Sequence, residues 1–156
     1  MSLYGTDLLA LLPELIVVVT ACLVIALDPI TPASRRDLLA WLSLGALALC
    51  LGLTGGQIGS LNSRVSAFSG LVVVDAYARF WKILLCGVTG TTILLSLPYL
   101  KAERIHLGEY YGFILLALSG MMVMVSGADL LTIYLGTELM SISLYVMTGL
   151  NRAKPR

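Results

Sequence analysis

Five long apolar runs, at about residues 8–27, 38–53, 76–97, 110–126 and 130–150, leave this chain few ways to fold. A hydrocarbon core of about 30 Å takes about 20 helical residues to cross, and lipid offers no partner for an open backbone N–H or carbonyl. Each run is therefore expected to be a transmembrane helix. The fold class is all-α, a polytopic bundle of about five spans forming a single membrane domain over residues 1–156. Composition agrees: 58% of residues are hydrophobic, 12% are charged, and the mean hydropathy is +0.94. So little charge could not cover a water-soluble globule.

The breaks between runs carry turn chemistry. Asp28-Pro29 and Thr31-Pro32 stop the first run, and Gly55-Gly56 ends the second, where Trp41 suits an interfacial position. A polar stretch from Gln57 to Ser69 leads into Gly70–Asp75. Its three consecutive valines favour a short extended segment at about 70–75. Pro98 is expected just after the third span, and Gly127-Ala128-Asp129 makes a tight link between the last two.

Lys and Arg are scattered, with no phosphate-binding cluster, so nucleic acid is not an expected partner. They are also uneven across the membrane. Arg35, Arg36, Lys101, Arg104, Arg152, Lys154 and Arg156 fall on one side, against Arg64 and, if they snorkel, Arg79 and Lys82. The positive-inside rule then puts the N-terminus outside and the C-terminal tail in the cytoplasm. Cys22, Cys50 and Cys86 lie within apolar runs at no metal or disulfide spacing, and read as small buried hydrophobes. Asp7 and Glu14, with no basic segment ahead of them, argue against a cleaved signal peptide.

One acid stands apart. Glu138 sits in the middle of the last run, where a carboxyl costs about 2.5–3.5 kcal/mol on insertion scales and commonly marks an ion or proton path. Tyr134, Glu138, Ser141, Tyr145 and Thr148 recur at spacings of four, three, four and three, which puts them on one helical stripe. Such a stripe must face other helices or water. For the hydroxyls, interhelical hydrogen bonding is the simpler account. For Glu138, proton handling is preferred, because desolvation favours its neutral form and a nearby cation its charged form. Arg79 and Lys82 are expected near the membrane edge, so a basic partner at the depth of Glu138 is expected outside these residues.

The remaining acids have smaller expected roles. Glu14 opens the first span, where snorkelling or capping is expected. Asp75 and Asp129 precede helices as N-caps, and Glu109 opens the fourth span beside Tyr110 and Tyr111. His106, the only histidine, reads as a solvated loop residue.

The stretch from Gly127 to Met147 resembles the fourth-to-fifth helix segment of the antiporter-like subunits of respiratory complex I. Gly70–Lys82 and Gly108–Leu115 are similar to the same family, in the same order along the chain. The resemblance implies a proton-translocating membrane-arm subunit of an NADH–quinone oxidoreductase in a bacterial inner membrane. Glu138 would be its proton-handling carboxylate, paired in the family with a lysine two helices further on. It implies other membrane-arm subunits and the lipid bilayer as partners. It also implies no cofactor in this chain itself, with flavin, iron–sulfur clusters and quinone in other subunits. The family builds on inverted repeats of helices, so the chain is expected to be an N-terminal five-helix portion, unable to pump alone. A subunit of an Mrp-type cation/proton antiporter and a structural or assembly membrane protein are the alternative functions.

Overall fold

The computed structural model describes residues 11–32, 37–56, 65–102 and 108–150. Five helices account for most of them: α1 (Leu12–Leu27), α2 (Asp37–Gly56), α3 (Ala76–Ala102), α4 (Glu109–Ser126) and α5 (Leu130–Gly149). A two-stranded antiparallel hairpin, β1 (Val65–Ala67) and β2 (Val72–Val74), joins α2 to α3. The fold is all-α with this one small sheet. Helices α2 to α5 are each long and apolar enough to cross a membrane. The described part of α1 is 16 residues, and the first residues of the expected span, 8–10, lie outside the described residues.

Helix α4 is the centre of the bundle. It packs against α1, α2, α3 and α5, and its buried residues include Leu115, Leu118, Ser119 and Met122. The others contribute single stripes: Val17, Ala21 and Val24 from α1, Leu39, Leu47 and Cys50 from α2, and Cys86 and Ile93 from α3. Residues such as Val19, Leu23, Leu49, Val88 and Leu95 point outward, as lipid-facing positions do. Helix α5 is the outlier. Its buried residues are Gly136 and Ser143, and it holds to the bundle chiefly through α4.

Three details differ from the sequence expectations. Helix α2 runs on through Gly55-Gly56, a turn beyond the expected last apolar residue at about 53. Pro98 lies inside α3 rather than after it. So near the C-terminal end, its missing N–H removes one ladder bond and little helix remains beyond it to be kinked. The extended segment at 72–74 has a partner, Val65–Ala67, within what reads as a polar stretch. The two are linked by a single 3-10 turn, Phe68–Gly70, in which Gly70 takes a φ of +97°, open to a residue without Cβ.

The hairpin closes one end of the bundle. Val72 forms a bridge with Gly127, and the Ala128 N–H donates to the Leu71 carbonyl at 3.0 Å. Leu11 packs against the small cluster of Ala67, Val72 and Val74. The start of α1, the start of α3 and the α4–α5 link thus meet at the hairpin end. Asp75 caps α3 there by accepting from the Ala78 N–H at 2.8 Å, and Asp129 caps α5 by accepting from the Leu131 N–H at 3.3 Å. We expect Asp129→Ala to cost about 0.5–2 kcal/mol of α5 stability. Faster amide exchange confined to the first turn of α5 would register that loss; unchanged exchange would show that the cap does not hold the helix start.

Candidate functional site

Helix α5 places Glu138 eight residues beyond Leu130, about 12 Å along the helix axis from the hairpin end. That is well inside an apolar segment. Asp129, by fixing where the helix begins, also fixes that depth. The helical period brings Tyr134 one turn before Glu138, on the same exposed side of α5. Tyr145 and Thr148 continue along the same exposed side, and Ser141, between Glu138 and Tyr145, is half-buried. Tyr134 is 58% exposed and Tyr145 72%. These values decide the orientation of the stripe: it points away from α4, and no helix of this unit covers it.

The hydroxyls on α5 do not reach across to neighbouring helices. Thr148 donates to the Tyr145 carbonyl at 2.8 Å, Ser143 to Leu139 at 2.7 Å and Thr137 to Ile133 at 2.9 Å. Their own helix satisfies them, so interhelical bonding by Thr148 within this bundle is not what the structure shows. Glu138 has no such recourse. Among the described residues no cation pairs with it, and Tyr134 stands one turn away on the same side.

A second ionisable group lies inside the bundle, where the sequence reading put edge residues. Glu14 is 4% exposed and Lys82 is 1% exposed, and Lys82 Nζ meets Glu14 Oε1 at 2.5 Å. Ser126 Oγ donates to the same oxygen at 3.4 Å. Glu14 is therefore neither a snorkelling side chain nor a helix cap, and Lys82 is not an edge cation. The signal was present in the chain. Glu14 shares a stripe with Val17, Ala21 and Val24, and Lys82 shares one with Ala78, Cys86, Thr89 and Ile93, each at helical spacing. The buried thiols Cys50 and Cys86 meet across α2 and α3 at 3.6 Å, whereas Cys22 is exposed on α1 and so departs from the buried-hydrophobe reading.

Comparison with known proteins gives these positions a context. No protein-family model matches the chain. The NADH-quinone oxidoreductase subunit N of Trichlorobacter lovleyi is 38% identical over 149 residues, covering 94% of this chain and 29% of the relative. That of Dehalococcoides mccartyi is 39% identical over 140 residues, 88% of this chain and 28% of the relative. That of Thioalkalivibrio sulfidiphilus is 36% identical over 154 residues, 96% of this chain and 31% of the relative. The chain is homologous to NADH-quinone oxidoreductase subunit N. It spans under a third of the length of the subunit N relatives it matches. Coverage of 94% leaves only the ends of the chain outside the match to the Trichlorobacter subunit N, so Glu14, Lys82 and Glu138 all fall within it.

Proposed function

We propose that this chain is part of a proton-translocating membrane-arm subunit of an NADH–quinone oxidoreductase, with Glu138 as its proton-handling carboxylate. The observation that carries the reading is the outward polar face of α5. A carboxylate about 12 Å into an apolar helix, left uncovered by its own bundle, needs a protein or water environment from beyond these residues. In a chain homologous to subunit N, the remaining membrane-arm helices supply it.

In this role Glu138 takes up a proton when its surroundings are apolar and releases it when a cation or water approaches, since desolvation favours the neutral carboxyl and a nearby positive charge the ionised one. Tyr134, one turn before Glu138, is placed to donate to the carboxylate in this role. Tyr145, one turn beyond Ser141 on the same side, extends the hydroxyl-bearing face along which protons move. Helix α5 does no redox chemistry: flavin, iron–sulfur clusters and quinone belong to other subunits of the complex. The topology that fits the distribution of Lys and Arg places the N-terminus outside the inner membrane and the tail after α5 in the cytoplasm.

Glu138→Gln in the full-length subunit within its complex is the test. It removes the titratable proton and keeps the shape and a hydrogen-bond acceptor for Tyr134. Protons moved per NADH oxidised are expected to fall several-fold, while electron transfer from NADH to an artificial acceptor is retained. An unchanged proton-to-electron ratio at normal coupled turnover would contradict the role. Sodium- or alkali-dependent growth defects with intact NADH–quinone activity would instead point to a cation/proton antiporter.

A further inference from the structure

The Glu14–Lys82 pair is separate from the α5 stripe in place and in surroundings. It lies in the interior between α1, α3 and α4, nearer the hairpin end than Glu138. Glu14 is the third residue of α1, and Lys82 stands six residues into α3, about 9 Å along that helix. The two meet because helical side chains lean toward the N-terminus, so that Lys82 reaches back toward the hairpin end. Ser126, the last residue of α4, completes the cluster.

Stability alone is a weak reason for such a pair. Taking both charges out of water costs about as much as their attraction returns, and apolar replacements of equal volume serve as well or better. The carboxylate is also half used. Lys82 and Ser126 both bind Oε1, while Oε2 is buried with no hydrogen-bond partner among the described residues. Oε2 is thus a buried acceptor that neither Lys82 nor Ser126 fills.

We propose that Glu14 is a second proton-binding site of this membrane unit, taking a proton at Oε2 with Lys82 as its charge partner. An O–H bond forms at Oε2, the proton leaves a hydronium ion in the water at the hairpin end, and Lys82 stays an ammonium. The cluster passes from neutral to one positive charge. The groups around it are Cys86 on α3, Cys50 and Thr54 on α2 and Ser126 on α4, with Arg79 buried one turn before Lys82. Asp75 and Asp129 are engaged as helix caps. The hairpin, joined to the α4–α5 link through Val72 and Leu71, lies at the end of the bundle nearer the pair, and that end is where the proton enters. The site does not depend on the role given to Glu138.

Infrared difference spectra of the full-length protein in lipid, recorded between alkaline and acidic buffer, test it. A protonated-carboxyl band should appear on acidification, be lost in Glu14→Gln, persist in Glu138→Gln and change its pH of appearance in Lys82→Met. A band untouched by Glu14→Gln, or none in the unsubstituted protein, would overturn the proposal. If Glu14→Gln does not accumulate, Glu14→Asp keeps the ion pair and should move the band in frequency. A band unmoved by Glu14→Asp overturns it equally.

Discussion

Lys82→Met should unfold this bundle far more readily than the loss of one surface charge would. The substitution leaves Glu14, 4% exposed, without its cation in an apolar interior. Removing one member of a buried pair costs about 3–5 kcal/mol, chiefly the penalty of the stranded charge. The double variant Glu14→Leu/Lys82→Met removes both charges at roughly constant volume and should return to the starting stability or exceed it. Reversible unfolding of the full-length protein in lipid, followed for both variants, checks the pair of outcomes. Equal damage from the single and double variants would mean that the loss comes from packing around α3 and not from an isolated carboxylate. A dispensable pair would also leave proton binding as the stronger reason for its presence.

Gly120→Ala should have the second large effect, through backbone contact. A Cβ at Gly120 would lie 2.7 Å from both the Gly136 carbonyl oxygen and the Met140 backbone nitrogen, and one at Gly136 would lie 2.8 Å from the Gly120 carbonyl oxygen. The two glycines let α4 and α5 approach backbone to backbone, as small residues do between membrane helices. Neither obstacle is a flexible side chain, so a methyl group must push α5 away. The expected cost is about 1–3 kcal/mol, as for overpacking elsewhere. Gly136→Ala should not add to it fully, because both act on one contact. Gly52, with open space around its Cβ position, is the internal control: Gly52→Ala should be neutral or mildly stabilising. Since α5 carries Glu138, Gly120→Ala should also lower coupled activity in the assembled complex. A loss of stability in Gly52→Ala equal to that in Gly120→Ala would show that the close approach of α4 and α5 is not what matters.

Much of this architecture is written in the order of apolar runs and the residues between them. Asp75 and Asp129 stand where helix starts need an acceptor, and both cap. Glu138 and Tyr134 are four residues apart on one stripe, and both lie on the exposed side of α5. What a linear reading misses is set by tertiary contact. Pro98 reads as a terminator, yet the helix continues past it because only one bond is lost. Strand β1, Val65-Ser66-Ala67, is too short for its alternation to stand out and pairs because Val72–Val74 offers it a partner. Glu14 and Lys82 each look like edge residues from their distance to a helix start. Only their shared periodicity with buried neighbours puts them inside, and nothing in the sequence says that the two stripes face each other. The outward aim of the Glu138 stripe follows from the side on which α4 packs, which Gly136 and Ser143 determine.

The polar face of α5 should look into protein or water and not into lipid. Nitroxide labels attached through Ser141→Cys and Tyr145→Cys, in a Cys22→Ser background of the full-length protein in its complex, measure this directly, since Cys22 is the exposed native thiol. The account predicts that both labels are shielded from oxygen dissolved in the hydrocarbon core and respond to a water-soluble paramagnetic nickel chelate or to neither. Strong oxygen broadening at both positions, with no response to the chelate, would place the Glu138 face against lipid and contradict it.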